Sequence, residues 1–337
     1  MKILVTGGAG YIGSHLVKNL LKEGFSLVVL DNLSTGSILP IEILKKEIGD
    51  FEFIRGDLGN KELLTKIFHE GKIDTVIHLA AKIDVDESLR QPGLYHQENF
   101  VKSINLVEAM TTAGVNRLIF SSTAAVYGNP EYVPIDEKHP TRPTNPYGQT
   151  KLDFEKYLSR VANLKYIIFR YFNVGGSDPT GRIGKSHLSG QDIMENIFKT
   201  ALGQKKIFQF FGTDYPTPDG TAIRDYIHVE DIVQAHILAL QKMDQFPAEV
   251  FNLGSESGFS VKEVFDKATL VIGREIPYAA GERRPGDVAI SVASATKAKE
   301  KLGWNPQYSN LDSIIRTDWH WRQKHPLGYT RSVGPNE

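Results

Sequence analysis

A strand that runs directly into a glycine-rich turn and then a helix leaves few folds open. Lys2–Thr6 is an apolar run of strand length, Gly7-Gly8-Ala9-Gly10-Tyr11-Ile12-Gly13 follows, and Ile12–Glu23 carries apolar residues at helical spacing. Similar runs recur at Ser26–Leu30, Phe51–Ile54, Thr75–His78, Arg117–Ser121 and Tyr166–Arg170, with helical segments between them, notably Val101–Ala113 and Gly148–Val161. Buried apolar strands alternating with helices predict a parallel sheet with right-handed crossovers.

The expected fold class is therefore α/β, a Rossmann-type doubly wound parallel sheet with a smaller C-terminal α/β lobe. After Asn173 the alternation stops. The stretch Gly175–Gly190 is rich in Gly, Ser and charged residues and reads as an ordered excursion over a site. Lys206–Phe211 and Val229–Met243 are expected to return to the main sheet, and Val250–Gly254, Val261–Ile272 and Ala295–Leu302 to build the smaller lobe. This divides the chain into a dinucleotide-binding domain over 1–174, with returning segments about 205–243, and a ligand-binding lobe mainly over 175–337. The tail Gly328–Glu337 is expected to fray.

Composition narrows the function classes. A chain of 337 residues, 41% hydrophobic and 23% charged, is ordinary for a globular protein. A net charge of −1 gives no general attraction for nucleic acid or anionic membrane. There is no cysteine, so disulfides, thiolate nucleophiles and cysteine-ligated metals are excluded, and no metal site is expected. With the first strand at Lys2 there is no room for a signal peptide, and no apolar run approaches membrane-spanning length. The expectation is a soluble, cytoplasmic protein.

Gly7, Gly10 and Gly13 follow a strand and open a helix with Tyr11 and Ile12. Absent side chains there let the backbone and the positive helix end approach a pyrophosphate. Asp31 ends the second strand, where a carboxylate accepts hydrogen bonds from adenosine ribose hydroxyls and repels a 2′-phosphate, favouring NAD over NADP. Asp31-Asn32-Leu33-Ser34 is also good turn chemistry, a reading that the upstream glycines place second. Asp57-Leu58 and Leu79-Ala80-Ala81 fall at the carboxyl ends of the third and fourth strands, where open α/β sheets bind ligands.

The second constellation is Tyr147-Gly148-Gln149-Thr150-Lys151, one helical turn from tyrosine to lysine. A tyrosine acting as base at pH 7 must titrate about three pH units below its usual value, about 4 kcal/mol. A lysine ammonium about 4–6 Å away supplies about 3–4 kcal/mol at an effective dielectric of about 20. Upstream, Ser121-Ser122-Thr123 closes the fifth strand and offers a hydroxyl to the same reacting oxygen. Alone, the tyrosine and lysine read equally well as a surface pair. In this order behind the glycine turn, they point to proton and hydride transfer at a carbinol carbon.

With these residues in place the chain resembles the extended short-chain dehydrogenase/reductases and, within them, the UDP-glucose 4-epimerase family. The resemblance rests on Thr6–His15, Phe120–Gly128, Pro146–Lys151, Arg170-Tyr171-Phe172-Asn173, Gly212–Val229, Arg283–Asp287 and Trp319-His320-Trp321. It implies NAD held through the cycle, Tyr147 taking the proton from the sugar 4-hydroxyl, and a 4-keto sugar that turns before the hydride returns. Thr123 matches the position that hydrogen-bonds the reacting oxygen, with Ser121, Asn99 and Phe172 beside the cofactor. Asn173, Arg224, Arg284 and Asp287 match UDP-binding positions, and Phe211 the uracil-proximal segment. Arg224 and Arg284 read equally as structural ion pairs with Asp225 or Asp287. A homodimer through the helices near Val101–Ala113 and Gly148–Val161 is also implied.

Three departures carry expectations. Ser291 stands where the family often has tyrosine beside the sugar C2 substituent, so UDP-N-acetylglucosamine and UDP-N-acetylgalactosamine are expected substrates too; Ser291 also reads as a plain strand residue. Ile83 replaces a cofactor-contacting lysine, with Lys82 one place earlier. Gln191-Asp192-Ile193 replaces Asn-Asn-Leu near the diphosphate, putting a carboxylate where phosphates would be repelled unless it faces away or meets an arginine. Related dehydratases carry Asp-Glu after the central threonine, whereas Thr123 is followed here by Ala124-Ala125. A UDP-glucuronate 4-epimerase and a non-catalytic NAD sensor are the competing readings; the second is disfavoured by the retained Tyr147 and Lys151.

Overall fold

The computed structural model describes residues 1–186, 192–284 and 286–329. Six strands fall where apolar runs predict them: β1 (Lys2–Thr6), β2 (Ser26–Asp31), β3 (Glu52–Arg55), β4 (Thr75–His78), β5 (Arg117–Thr123) and β6 (Lys165–Tyr171). After them come β7 (Asn173–Gly175), β8 (Phe208–Phe211), β9 (Ile223–His228), β10 (Ala248–Leu253), β11 (Gly258–Ser260), β12 (Tyr278–Gly281) and β13 (Ile290–Ser291).

The main sheet has seven strands in the order β10-β6-β5-β4-β1-β2-β3, and every pairing in it is parallel. The strand order reverses between β1 and β4, the switch point at which such sheets form a crevice beyond their carboxyl ends. Helices cover both faces, as apolar residues on both sides of each strand require. On one face the Tyr11–Lys22 helix and the Val229–Lys242 helix share a core with Val5, Val29, Ile167 and Phe251. On the other face Leu106, Met110, Phe154 and Leu158 pack against Leu4, Val76 and Leu118. The helix expected at Val101–Ala113 begins earlier, as a π-helical stretch His96–Val101 leading into Lys102–Thr112.

Three expectations about the second half are corrected. Lys206–Phe211 does not rejoin the main sheet: β8 pairs with β12, and Phe208 and Phe210 pack on Phe265. Val250–Gly254 does not build the smaller lobe, because β10 is the seventh strand of the main sheet, with Phe251 beside Phe169. Ala295–Leu302 likewise packs on the main core through Ala295, Ala298 and Leu302. An apolar run announces a strand, but its place in a sheet depends on long-range pairing that local pattern does not encode. Val229–Met243 packs on the main sheet as expected, and Val261–Ile272 belongs to the smaller lobe with Ile197, Phe198 and Ile314.

The smaller lobe has β9 at its centre, flanked by β11 and β13 and also paired with β7. Because β7 leaves the carboxyl end of β6 after a single residue, this lobe stands beside the crevice. The excursion expected over Gly175–Gly190 continues from β7 as loop through Ser186, and its remaining residues lie outside those described. The expected fraying is corrected at the start of the tail: Tyr329 N donates to Ser186 Oγ at 2.8 Å, while 330–337 lie outside the described residues. No helix among the described residues is long and apolar enough to cross a membrane.

A buried ion pair ties three of these elements together. Glu155 Oε2 lies 2.5 Å from Arg170 Nη2, with both side chains under a tenth exposed. Ser122 Oγ donates to Glu155 Oε1 at 2.5 Å, and Arg170 Nη1 donates to the Tyr127 hydroxyl at 3.0 Å. Glu155→Ala leaves a buried guanidinium without its counter-ion and is expected to cost about 3–5 kcal/mol in urea unfolding. A loss below about 1 kcal/mol would show that Arg170 finds water or another partner.

Candidate active site

The glycine turn is shaped by contact. Gly7 has φ +75°, and a Cβ there would lie 2.6 Å from Ala80 N, across the switch point. A Cβ on Gly13 would lie 2.1 Å from Gly7 O. Only glycine allows these approaches, and they bring the start of the Tyr11–Lys22 helix, capped by Gly10, to the crevice floor. Its first N–H groups have no intrahelical partner and make an anion site.

Asp31 Oδ2 accepts from Ala9 N at 3.0 Å and Oδ1 from Leu33 N at 2.8 Å. Burial raises its pKa, and those two bonds pull the other way. It thus makes the turn that its sequence allows, and its carboxylate still has lone pairs free at the cleft wall. Next to it Asn32 Nδ2 donates to Asp57 Oδ2 at 2.6 Å, and Lys102 Nζ lies 3.0 Å from the same oxygen. Gly7, Gly10, Tyr11, Ile12, Gly13, Asp31, Asn32, Asp57, Leu58, Leu79, Ala80 and Ala81 all line one cleft of about 420 Å³. Asn99 does not: it is buried, and its amide brackets the main chain of Lys82 through bonds of 2.8 and 2.9 Å. Lys82 lines the cleft with its ammonium 3.3 Å from Glu87.

The catalytic candidates enter from the opposite half of the sheet. Asn145 caps the Pro146–Leu158 helix by accepting from Gly148 N at 2.8 Å, with Pro146 in the first turn. Tyr147 and Lys151 thereby occupy successive turns, and both line the cleft with Ser121, Thr123 and Phe172. The Thr123 hydroxyl, at the end of β5, shares the cleft wall with the Tyr147 phenol and draws its pKa down. Lys151 Nζ donates to Ser121 O at 2.9 Å and lies 4.8 Å from the centre of the Phe120 ring.

Electrostatics correct one expectation. Burial pushes the Tyr147 phenol up to about 12, and the influence opposing it is the Thr123 hydrogen bond rather than Lys151. Burial pushes Lys151 down to about 7, with the Glu155 carboxylate pulling it back. Helical spacing does place the two side chains on one face, but both are removed from water, and desolvation disfavours each charge separately.

Of the residues matched to nucleotide anchoring, Asn173 lines the cleft, and its Nδ2 donates to Asp225 O at 3.0 Å. Phe211, Arg224, Arg284, Asp287 and Ser291 lie outside the cleft wall, in the smaller lobe. The Arg284 guanidinium is 3.9 Å from the centre of the Phe211 ring, and Arg224 Nη2 is 3.5 Å from Asp287 Oδ1. Ser291 stands beside Arg224 in the β13–β9 register, and Asn173 beside Tyr226 in the β7–β9 register. The ion-pair reading of Arg224 therefore holds for Asp287 and fails for Asp225, whose oxygens instead take the amides of Ser255, Glu256 and Ala293.

Sequence reasoning missed several cleft residues. Lys185, Ser186 and Tyr329 line it, as does the turn Ser34-Thr35-Gly36-Ser37. Asp192, left without a role, also lines it and meets Lys185 at 2.5 Å rather than an arginine; Gln191 lies outside the described residues. Only the Asp192–Lys185 charge complementarity hinted at this, and no spacing rule reaches Tyr329.

Fold and site together define an extended short-chain dehydrogenase/reductase, and the family model described as GDP-mannose 4,6 dehydratase matches residues 4–317. The UDP-glucose 4-epimerase of Lactobacillus helveticus is 44% identical over 333 residues, 98% of this chain and 99% of that protein. The crystal structure of UDP-glucose 4-epimerase from Bifidobacterium longum in complex with NAD+ and UDP superposes with a TM-score of 0.92 at 36% identity, covering 98% of this chain and 100% of that one. The UDP-Glc/GlcNAc 4-epimerase of the human pathogen Campylobacter jejuni superposes with a TM-score of 0.84 at 39% identity, covering 96% of this chain and 99% of that one. The chain belongs to the UDP-glucose 4-epimerase family.

Gly7→Ala forces a side chain into left-handed backbone against Ala80 and is expected to cost about 1–3 kcal/mol in stability. It should also lower the dinucleotide content of the purified protein. Wild-type stability and dinucleotide content would show that the turn tolerates a Cβ.

Proposed function

We propose that the protein is a UDP-hexose 4-epimerase that uses NAD, interconverting UDP-glucose with UDP-galactose and also UDP-N-acetylglucosamine with UDP-N-acetylgalactosamine. The observation that carries this reading is that Tyr147, Lys151 and Thr123 line the same glycine-cradled cleft. The residues present fit NAD: the turn excludes a Cβ at Gly7 and Gly13, and Asp31 has lone pairs for ribose hydroxyls. Bound NAD supplies a hydride acceptor and returning donor for C4, together with a positive ring charge near the phenol.

Tyr147 takes the proton of the sugar 4-hydroxyl and later gives it back, and the Thr123 hydroxyl holds that oxygen in line. A phenol at about 12 ionises at pH 7 only against about 7 kcal/mol. One cation about 4–5 Å away offsets about 3–4 kcal/mol of this at an effective dielectric of about 20. Lys151 alone is therefore insufficient, and it reaches the task only with a second positive charge in the cleft. The phenolate would in turn hold Lys151 protonated. Ala124 and Ala125 place no carboxylate after Thr123, which disfavours the dehydration chemistry named by the matching family model.

A sugar that must turn over between hydride transfers is best held by its nucleotide. Asn173, Phe211, Arg224, Arg284 and Asp287 are the anchoring set in this reading, since guanidinium forks suit a diphosphate. Ser291 beside Arg224 leaves space for an N-acetyl group. The reading includes a homodimer through the Lys102–Thr112 and Pro146–Leu158 helices.

The test is a substrate panel of UDP-hexoses, UDP-N-acetylhexosamines and UDP-glucuronate with product epimers separated. Both neutral pairs should interconvert, and Tyr147→Phe should lose about 10²–10⁴-fold in rate while binding NAD and UDP-sugar. Ser291→Tyr should selectively abolish turnover of the N-acetylated pair. Near-normal turnover by Tyr147→Phe would remove the base, and turnover of UDP-galactose with none of UDP-N-acetylgalactosamine would refute the wider specificity.

A further inference from the structure

Lys185 and Asp192 line the cleft beside Tyr11, the first residue of the glycine-capped helix. Lys185 Nζ lies 2.5 Å from Asp192 Oδ2 and 5.6 Å from the centre of the Tyr11 ring. The carboxylate is fixed from the far side, because Asp192 Oδ1 caps the Ile193–Ala201 helix by accepting from Glu195 N at 3.0 Å. The main chain of Lys185 is held as firmly. Arg322 Nη2 donates to Lys185 O at 2.9 Å, and Gly184 N donates to the Tyr329 hydroxyl at 3.0 Å. Gly184 lies flat on Trp321, where a Cβ would come within 2.3 Å of the indole.

This construction does more than close a helix end, for which Asp192 alone would serve. An ammonium carries three N–H donors, and among the described residues Lys185 donates to Asp192. Burial works against the charge of Lys185, but Asp192, Asp318 and Glu195 hold its pKa above the usual lysine range. A lone carboxylate at this wall would repel phosphate. Paired, the two charges cancel, and the ammonium retains donors for an anionic oxygen in the cleft.

We propose that Lys185 is a ligand-positioning residue whose free N–H donors take a diphosphate oxygen of the nucleotide sugar, with Asp192 holding the ammonium in place. The proposal rests on the UDP-sugar reading of this cleft. A dinucleotide brings a diphosphate too, but the amides opening the Tyr11–Lys22 helix already provide for one. Lys185 lies in the loop that follows β7, the strand that carries Asn173 and pairs with β9 of the smaller lobe.

The test is a double-mutant cycle on the NAD-loaded protein with UDP as the calorimetric probe, alongside NAD content and UDP-glucose kinetics. Asp192→Asn preserves the helix cap, since asparagine caps as well as aspartate. Lys185→Gln should weaken UDP binding about tenfold or more, as expected for losing a charge-assisted hydrogen bond and exposing a carboxylate, with KM rising more than kcat falls. Asp192→Asn should weaken UDP binding by less than Lys185→Gln does, since the asparagine oxygen still accepts from the ammonium, and the double variant should fall between the single ones. Unchanged UDP affinity in Lys185→Gln would overturn the proposal, as would loss of NAD with UDP affinity kept. A wild-type protein that binds UDP yet turns over no UDP-hexose would instead overturn the functional reading alone, and one that binds no UDP would overturn both.

Discussion

Desolvation of two opposed charges at the end of β5 is the constraint around which the cleft is organised. Tyr147 and Lys151 are held by a capped helix against Thr123 and Ser121, and each is pushed toward its neutral form by the removal of water. Neutral phenol beside a half-neutral amine is a poor base. The same dryness means that any positive charge entering the cleft acts with little screening. In the proposed function, the positive charge that readies the phenol would come with the bound cofactor.

The remaining architecture serves to hold that pair at the switch point. Gly7 against Ala80 joins the two halves of the sheet closely enough for the helix start to face the crevice. Glu155 and Arg170 lock the helix of Tyr147 to β5 and β6 from beneath. The smaller lobe stands apart, with its arginines resting on Phe211 and Asp287. In the proposed function, the cleft holds the reacting end and the smaller lobe the nucleotide of a sugar that must turn. The chain passes between these bodies repeatedly, since β10 and the Ala295–Leu302 segment return to the main sheet.

Much of this was legible in residue order. Six strands of the main sheet read directly as apolar runs, because strands buried on both faces carry continuous rather than alternating hydrophobicity. The glycine turn, Asp31 and the Tyr147–Lys151 spacing placed the cleft. What local pattern does not carry was missed: β10 and β8 exchanged places because pairing partners lie far off in sequence. Asn99, matched to a position beside the cofactor, holds the main chain of Lys82, which lines the cleft. Lys185 and Tyr329 sit in irregular segments without period or motif, and three-dimensional packing alone brings them to the cleft. The tyrosine's acidity was misjudged for a related reason, since spacing predicts proximity but not the loss of water.

The account turns on whether cofactor charge converts Tyr147 from an acid too weak to work into a usable base. The direct measurement is a phenolate absorbance titration, taken as the difference between wild type and Tyr147→Phe, with NAD bound and after its removal. The account predicts a midpoint far above neutrality without NAD and a fall toward neutral pH with it. A midpoint that stays above 10 in the NAD-bound protein, as for an ordinary phenol, would contradict it.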